Sequence, residues 1–338
     1  MKRDTGENSL IQNKSQEALL NEYKGNVFEY LVCIELSKKF KNEIAFLRSI
    51  PIDILNILEQ QESMLRNFYE HLLIELPKLA EITAKSIIDD LKIKKIDRVI
   101  LVGKKLASSK NTDFNESDIL IYTTKQKYHA ISLKISRLGS FVNTKSAGVR
   151  TVLKRYFEHD IAESLQEKLN EFVDYEYESL AMKMHDEADI FYTKLFENWE
   201  RSGLPVLPGQ LDDSSHRLLM NYYYILNKKI CENFQKLYNY SEKLFYDSLF
   251  SLMGFSSKNI TQVTSFYSQS DSVFNKMKVE VLNFDNVKLL HDENIKFKLN
   301  KSNFEIDFAG HVIQVRVKPM NKFTSKAFKV NCAVKKIN

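Results

Sequence analysis

The chain has 338 residues, 43% of them apolar, and carries 49 Lys and Arg against 44 Asp and Glu for a net charge of +5. That length accommodates two or three domains, and nine Gly with five Pro exclude low complexity and a turn-rich sandwich. No apolar run approaches the ~18 residues of a membrane span. The polar start MKRDTGENSLIQNKSQ lacks the apolar stretch of a signal peptide. Three isolated cysteines (Cys33, Cys231, Cys332) argue against a disulfide scaffold or a zinc ribbon and fit a reducing cytoplasm.

Residues 14–40 read as the first helix. Within NEYKGNVFEYLVCIELSKKF the apolar positions Tyr23, Val27, Tyr30, Leu31 and Ile34 follow a helical period, and Glu29 lies beside that stripe. Gly25, one turn earlier, removes bulk and lets this face approach a sheet. Pro51 opens a new element, with helices expected over 52–60 and 63–92. DRVILVGKK (97–105) begins a sheet, continued by strands at 118–123 and 128–136. The short connection TTKQKY pairs these last two as a hairpin. A Gly/Ser/Asn/Thr loop then leads into a helix expected over 145–157, carrying Lys145, Arg150, Lys154 and Arg155.

From Ala162 to Arg201 the chain is charged and helical, with Leu165, Leu169, Phe172, Leu180 and Met184 as buried candidates; His185 in that run is expected to be solvated. SGLPVLPGQ (202–210) is the clearest break. A second helical region, 212–253, is rich in aromatics, read as core or subunit contact; the two regions would form an antiparallel pair able to support a dimer. From Lys258 the texture turns to period-two alternation in VLNFDNVKLL, IKFKLN, FEIDF, HVIQVRVK and FKVNCAVKK, expected to form one small antiparallel sheet. Gln314, Arg316 and Lys318 share one face of it. The expected organisation is a core at 1–160, a helical region at 161–257 and a basic β-rich region at 258–338.

The chemistry concentrates in DFNESDILIYTTKQKYHAISLK (113–134). Side chains alternate along a strand. Ile131, Leu133 and Ile135 therefore enter a core, while Ala130, Ser132 and Lys134 point the other way. Asp118 opens the neighbouring strand and can meet Lys134 on one face at one end of the sheet. A carboxylate there can hold Mg²⁺, and the lysine can position water or neutralise phosphate charge. Glu29 is a candidate second ligand. Plain amphipathic strands with solvated faces would give the same pattern.

Charge is unevenly distributed. Residues 119–157 and 308–338 contain no Asp or Glu and together hold fifteen of the 49 Lys and Arg, so the remainder is net acidic. Two basic segments on an acidic body are the footprint of a nucleic-acid binder. Other chemistries lack their residues. Gly103-Lys104-Lys105 does not have the spacing of a phosphate loop, there is no G-x-S-x-G, and the seven histidines have no zinc-type spacing.

The order Glu29, Asp118, then Ser132-Leu133-Lys134 resembles the PD-(D/E)xK nuclease superfamily, and within it the type II restriction endonucleases, over about residues 20–160. The resemblance implies an α/β (α+β) fold with a mixed sheet flanked by helices, and Mg²⁺ at one edge. It implies metal ligation by Asp118, Glu29 and the backbone carbonyl of Leu133, and a water oriented by Lys134. It further implies double-stranded DNA as substrate and a homodimer. The pattern departs from the family at Ser117, where a proline is usual, and at Ser132, which replaces an acid. Glu29 is the preferred substitute ligand, with Glu116 and Glu158 behind it. Lys145, Arg150, Lys154, Arg155, Arg316 and Lys318 are the expected nucleic-acid contacts. The competing readings are a non-catalytic nucleic-acid binder on a degenerate nuclease fold, a repair or phage nuclease, and a helical interaction protein.

Overall fold

The computed structural model describes residues 6–102, 116–124, 126–255, 259–270, 272–289 and 295–337. In chain order its helices are α1 (Gly6–Lys39), α2 (Glu43–Ser49), α3 (Ile52–Asp90), α4 (Val152–Tyr156), α5 (Ala162–Glu187), α6 (Glu197–Arg201), α7 (Asp213–Tyr240), α8 (Glu242–Leu252) and α9 (Phe284–Leu289). The strands are β1 (Arg98–Leu101), β2 (Ile119–Tyr122), β3 (Tyr128–Arg137), β4 (Val142–Gly148), β5 (Ile260–Ser270), β6 (Val273–Leu282), β7 (Lys296–Leu299), β8 (Phe304–Phe308), β9 (His311–Pro319) and β10 (Phe328–Lys336). The protein is mixed α/β, with two five-stranded sheets among the described residues. It divides into two compact units, each built from two stretches of chain: 1–140 with 257–286, and 141–256 with 287–338. These boundaries differ from the three consecutive segments expected, because contacts between distant stretches define them.

In the first unit the strand order is β1-β2-β3-β5-β6. β1, β2 and β3 form an antiparallel meander, β5 joins β3 in parallel, and β6 returns antiparallel to β5. This corrects the single sheet expected after Lys258. The alternation in 260–282 marks strands but not their partner, and that partner is β3, with Ser132 beside Gln262 and Lys134 beside Thr264. Packing explains the choice. Val263 and Tyr267 of β5 enter the same core as Ile131 and Leu133, under Val27, Phe28 and Val32 of α1 and Leu76, Leu79 and Ala80 of α3. The Thr83 hydroxyl of α3 meets that of Ser265 at 2.7 Å, both buried, so neither is left unsatisfied. The two helices expected at 52–60 and 63–92 are one element, α3, interrupted at Tyr69 (φ −146°, ψ 55°). Val102, Leu120, Ala130 and Ile260 form a separate small cluster; Leu120 and Ala130 lie on the opposite strand face from Ile119 and Ile131. The expected continuation of β1 to Lys105 lies outside the described residues.

The second unit holds an all-antiparallel sheet in the order β4-β10-β9-β8-β7. The helix expected over 145–157 is corrected: residues 142–148 form β4, with Ser146 opposite Asn331 and Ala147 opposite Val330, and only the five residues of α4 are helical. The backbone of β10 supplies hydrogen-bond partners along that edge, and this outweighs weak local preference. VLNFDNVKLL is also not one strand. After Leu282 the Asn283 carboxamide oxygen accepts from the Asn286 amide at 2.8 Å and starts α9.

The aromatic residues of α7 and α8 line the inner face of this sheet. Ring centroids lie 5.3 Å apart for Phe234–Phe304 and for Tyr222–Phe328, and 5.1 Å apart for Phe250–Phe308. These side chains are core. His185, expected to be solvated, is fully buried. Its Nδ1 lies 2.7 Å from the Ala181 carbonyl and its Nε2 accepts from the Trp199 amide at 3.2 Å. Asn227, also fully buried, ties α7 to the sheet by accepting from the Val317 amide at 3.1 Å. All three cysteines are buried and free. Among the described residues no helix is long and apolar enough to cross a membrane.

Candidate active site

Asp118 stands one residue before β2. Its backbone is fixed on both sides: its amide donates to the Ile131 carbonyl at 2.8 Å, and its carbonyl accepts from the Val102 amide at 2.9 Å. The last β2–β3 residue pair is Ile119–Ile131. Beyond it, the Leu133 amide donates to Asp118 Oδ2 at 2.6 Å, a short charge-assisted bond. Lys134 Nζ lies 3.4 Å from the same oxygen, and the Ser132 hydroxyl makes a long contact at 3.5 Å. The three residues of the Ser132-Leu133-Lys134 motif therefore converge on one carboxylate oxygen, and none of these donors engages Oδ1. The juxtaposition of Asp118 and Lys134 expected from strand alternation is present.

The electrostatics keep this pair loose. The Lys134 side chain is 40% exposed and that of Asp118 24%. An ion pair so open to water contributes under about 1 kcal/mol, so a phosphate can take over the ammonium at little cost.

Glu29 lies on α1, half-buried, one turn before the fully buried Cys33. Burial pushes the Cys33 thiol well up, and the negative charges of Glu29 and Asp118 push it further. Of the other substitutes, Glu116 is partly exposed in the first unit, and Glu158 is exposed in the second. Ser117, at the motif's proline position, is buried. His129 pairs opposite Ile121, and burial holds its imidazole below its ordinary pKa.

One acid escaped sequence reasoning. Lys134 is aligned with Thr264 on β5, and Thr264 with Glu280 on β6, so all three share a face. At the usual strand spacing Glu280 stands about 10 Å from β3. Its side chain is 13% exposed and bonded to Lys278 at 2.7 Å. Only the parallel β3–β5 pairing reveals it, and no local motif signals that pairing.

Mg²⁺, which the resemblance implies, is held by one or two carboxylates together with waters and substrate phosphates. Asp118 and Glu29 are carboxylates of the type that requirement names; no group of three His, Cys, Asp or Glu that could hold a metal occurs among the described residues. Leu133 touches Asp118 through its amide.

The basic candidates separate. Lys145 lies on β4, not on a helix. Arg150 is in a turn and bonds Asp174 Oδ1 at 2.6 Å, as does Lys326. Those two cations hold the Asp174 carboxyl below its ordinary pKa. Lys322 bonds Glu200 at 2.5 Å. A stretch free of acids in sequence is therefore not free of them in space. Lys154 and Arg155 on α4 are exposed. Arg316 and Lys318 share a face of β9, where Lys329 of β10 lies opposite Lys318. Burial lowers the pKa of Lys318, and the charges of Arg316 and Lys329 lower it further.

In comparisons with known proteins, no protein-family model, no curated protein and no solved structure matches the chain.

Proposed function

We propose that the first unit is a Mg²⁺-dependent endonuclease of the restriction type, hydrolysing phosphodiester bonds of double-stranded DNA. The observation that carries this reading is the convergence of the Leu133 amide, the Ser132 hydroxyl and Lys134 Nζ on Asp118 Oδ2 at the open end of a mixed sheet. The Leu133 bond holds the carboxylate in one orientation. Mg²⁺ bound by Asp118 and Glu29, with the Leu133 carbonyl facing it, would polarise the phosphoryl oxygens and acidify water. Lys134 moves from its weak ion pair to the phosphate, where it orients the attacking water and meets the charge that builds on the non-bridging oxygens. Water adds to phosphorus and gives up a proton to solvent, one P–O ester bond breaks, and the departing alkoxide takes a proton from solvent. A pair of chains would match a symmetric duplex site.

Ser132 in the acid position, with Asp118 as the one carboxylate paired with the lysine among the described residues, favours a second reading: a site that binds nucleic acid without cutting it. Incubating the protein with long, sequence-diverse duplex DNA in Mg²⁺ and in EDTA separates the two. Discrete Mg²⁺-dependent bands support the restriction-type reading, and a smear points to a repair or phage nuclease. DNA from several sources, modified and unmodified, that shifts at low salt but stays intact would sink the cleavage proposal.

A further inference from the structure

The carboxyl ends of the parallel strands β3 and β5 carry a second feature, apart from the Asp118–Lys134 pair. Arg137 follows Lys134 by three residues, about 10 Å along the strand. Open sheets take ligands at the carboxyl ends of parallel strands, and here that end forms a cavity of about 140 Å³ between α1 and the interruption of α3. Lys24, Tyr69, His71, Arg137, Tyr267 and Gln269 are among its walls. A neighbouring depression of about 390 Å³ shares Arg137, Tyr267 and Gln269 with it. Among the described residues, neither is lined by any Asp or Glu.

The donors are held in place. Lys24 Nζ donates to Asn21 Oδ1 at 3.1 Å and to the Tyr267 hydroxyl at 3.3 Å. Tyr267 is fixed in turn by stacking on Phe274, with ring centroids 4.1 Å apart. Gln269 Nε2 and His71 Nε2 lie 3.1 Å apart. The break at Tyr69 brings its ring to 6.1 Å from that of His71 at the rim. Arg137 is exposed, and no ion pair engages it among the described residues. Two cations and several amide and hydroxyl groups thus surround a space that no Asp or Glu lines among the described residues. A water occupies about 30 Å³ of liquid. The smaller cavity therefore holds a tetrahedral anion with one or two waters and is too small for a nucleoside, for which the larger depression has room.

We propose that this cavity binds a phosphate group, with Arg137 and Lys24 as its cationic contacts and the attached sugar in the adjoining depression. The proposal rests on the nuclease reading only for the expectation that a polynucleotide presents the phosphate. It is tested with the full chain in EDTA, so that cleavage plays no part. Binding of a fluorescent, 5′-phosphorylated duplex oligonucleotide is measured against salt for the parent, Arg137→Gln, Lys24→Gln and, as a matched surface control, Lys39→Gln. Inorganic phosphate is titrated in parallel as the second probe.

The expected result is a fall of about one in the slope of log affinity against log salt for each pocket variant. The control should keep the parental slope, and Arg137→Lys should restore most of the loss. Competition by inorganic phosphate that weakens in both pocket variants identifies a site for any phosphate; a response of the oligonucleotide alone identifies the polynucleotide backbone. Unchanged affinity and slope in both arms, with circular dichroism confirming folded variants, overturns the proposal. A parent that never cuts DNA in Mg²⁺ but loses binding with these variants removes the nuclease reading and leaves the pocket standing. A parent that cuts while its folded pocket variants bind unchanged does the reverse.

Discussion

The two sheets have five strands each and put them to different use. In the second unit every pairing is antiparallel, and one face is closed by rings from α7 and α8. In the first, a parallel strand is inserted beside β3, and β2 stops short of it. At that step a side-chain carboxylate takes the Leu133 amide where β2 no longer pairs. The second sheet gives one face to an aromatic core; in the first, the end of the β2–β3 ladder gathers a carboxylate, an amide and an ammonium. The polar cluster here comes from an irregular strand end rather than from a loop motif.

Substitutions can break or sharpen this contrast. The largest effect is expected at the strand end. Asp118→Asn should abolish Mg²⁺-dependent cleavage, and Lys134→Ala should lower it by roughly 10²–10⁴-fold, read as the initial rate on a defined duplex. Next is the aromatic wall. Phe234 is fully buried against Phe157, Phe245 and Phe304. Phe234→Ala should cost about 3–5 kcal/mol in urea unfolding, without touching Asp118. A smaller effect tests the ladder itself. Asp118→Ala strands the Leu133 amide and should cost about 1–3 kcal/mol, whereas Asp118→Asn keeps an acceptor and should stay within about 1 kcal/mol of the parent. Equal melting temperatures for the two variants would refute a structural role for that bond.

The smallest effect concerns a cap in the second unit. The Asp212 side chain accepts from the Ser214 and Ser215 amides at the start of α7. Its carboxyl is held at about 2, first by the Ser215 amide and then by the Ser214 hydroxyl. A depressed carboxyl stabilises the fold above its unfolded value, near 4, and loses that contribution as pH falls toward 2. Asp212→Ala should therefore cost about 0.5–2 kcal/mol at neutral pH and progressively less as pH falls from about 4 toward 2, a narrowing gap visible in paired thermal melts.

The strands at 118–136 were legible because Ile119, Ile121, Ile131 and Leu133 alternate cleanly, and that period, with the short TTKQKY connection, predicts the meeting of Asp118 with Lys134. What depends on distant pairing was not legible. Glu280 joins the face of Lys134 only because β5 runs parallel to β3. Residues 142–148 lack an alternating pattern, and their strand state comes from β10. His185 looked like part of a polar helical surface, yet Trp199, fourteen residues on, gives its ring a partner in the interior. Arg150 looked available for phosphate because no acid is near it in sequence, but Asp174 reaches it from α5.

The insertion of β5 beside β3 also has a cost in time. Residues 141–256 separate the two stretches of the first unit, so during synthesis β3 waits on the order of ten seconds before its neighbour leaves the ribosome. Through that interval its backbone edge, with the Ile131 and Leu133 side chains beside it, offers itself to any other extended chain. A nascent chain halted before residue 260 would carry that bare edge permanently. Early-terminated products should accordingly aggregate where the complete chain does not.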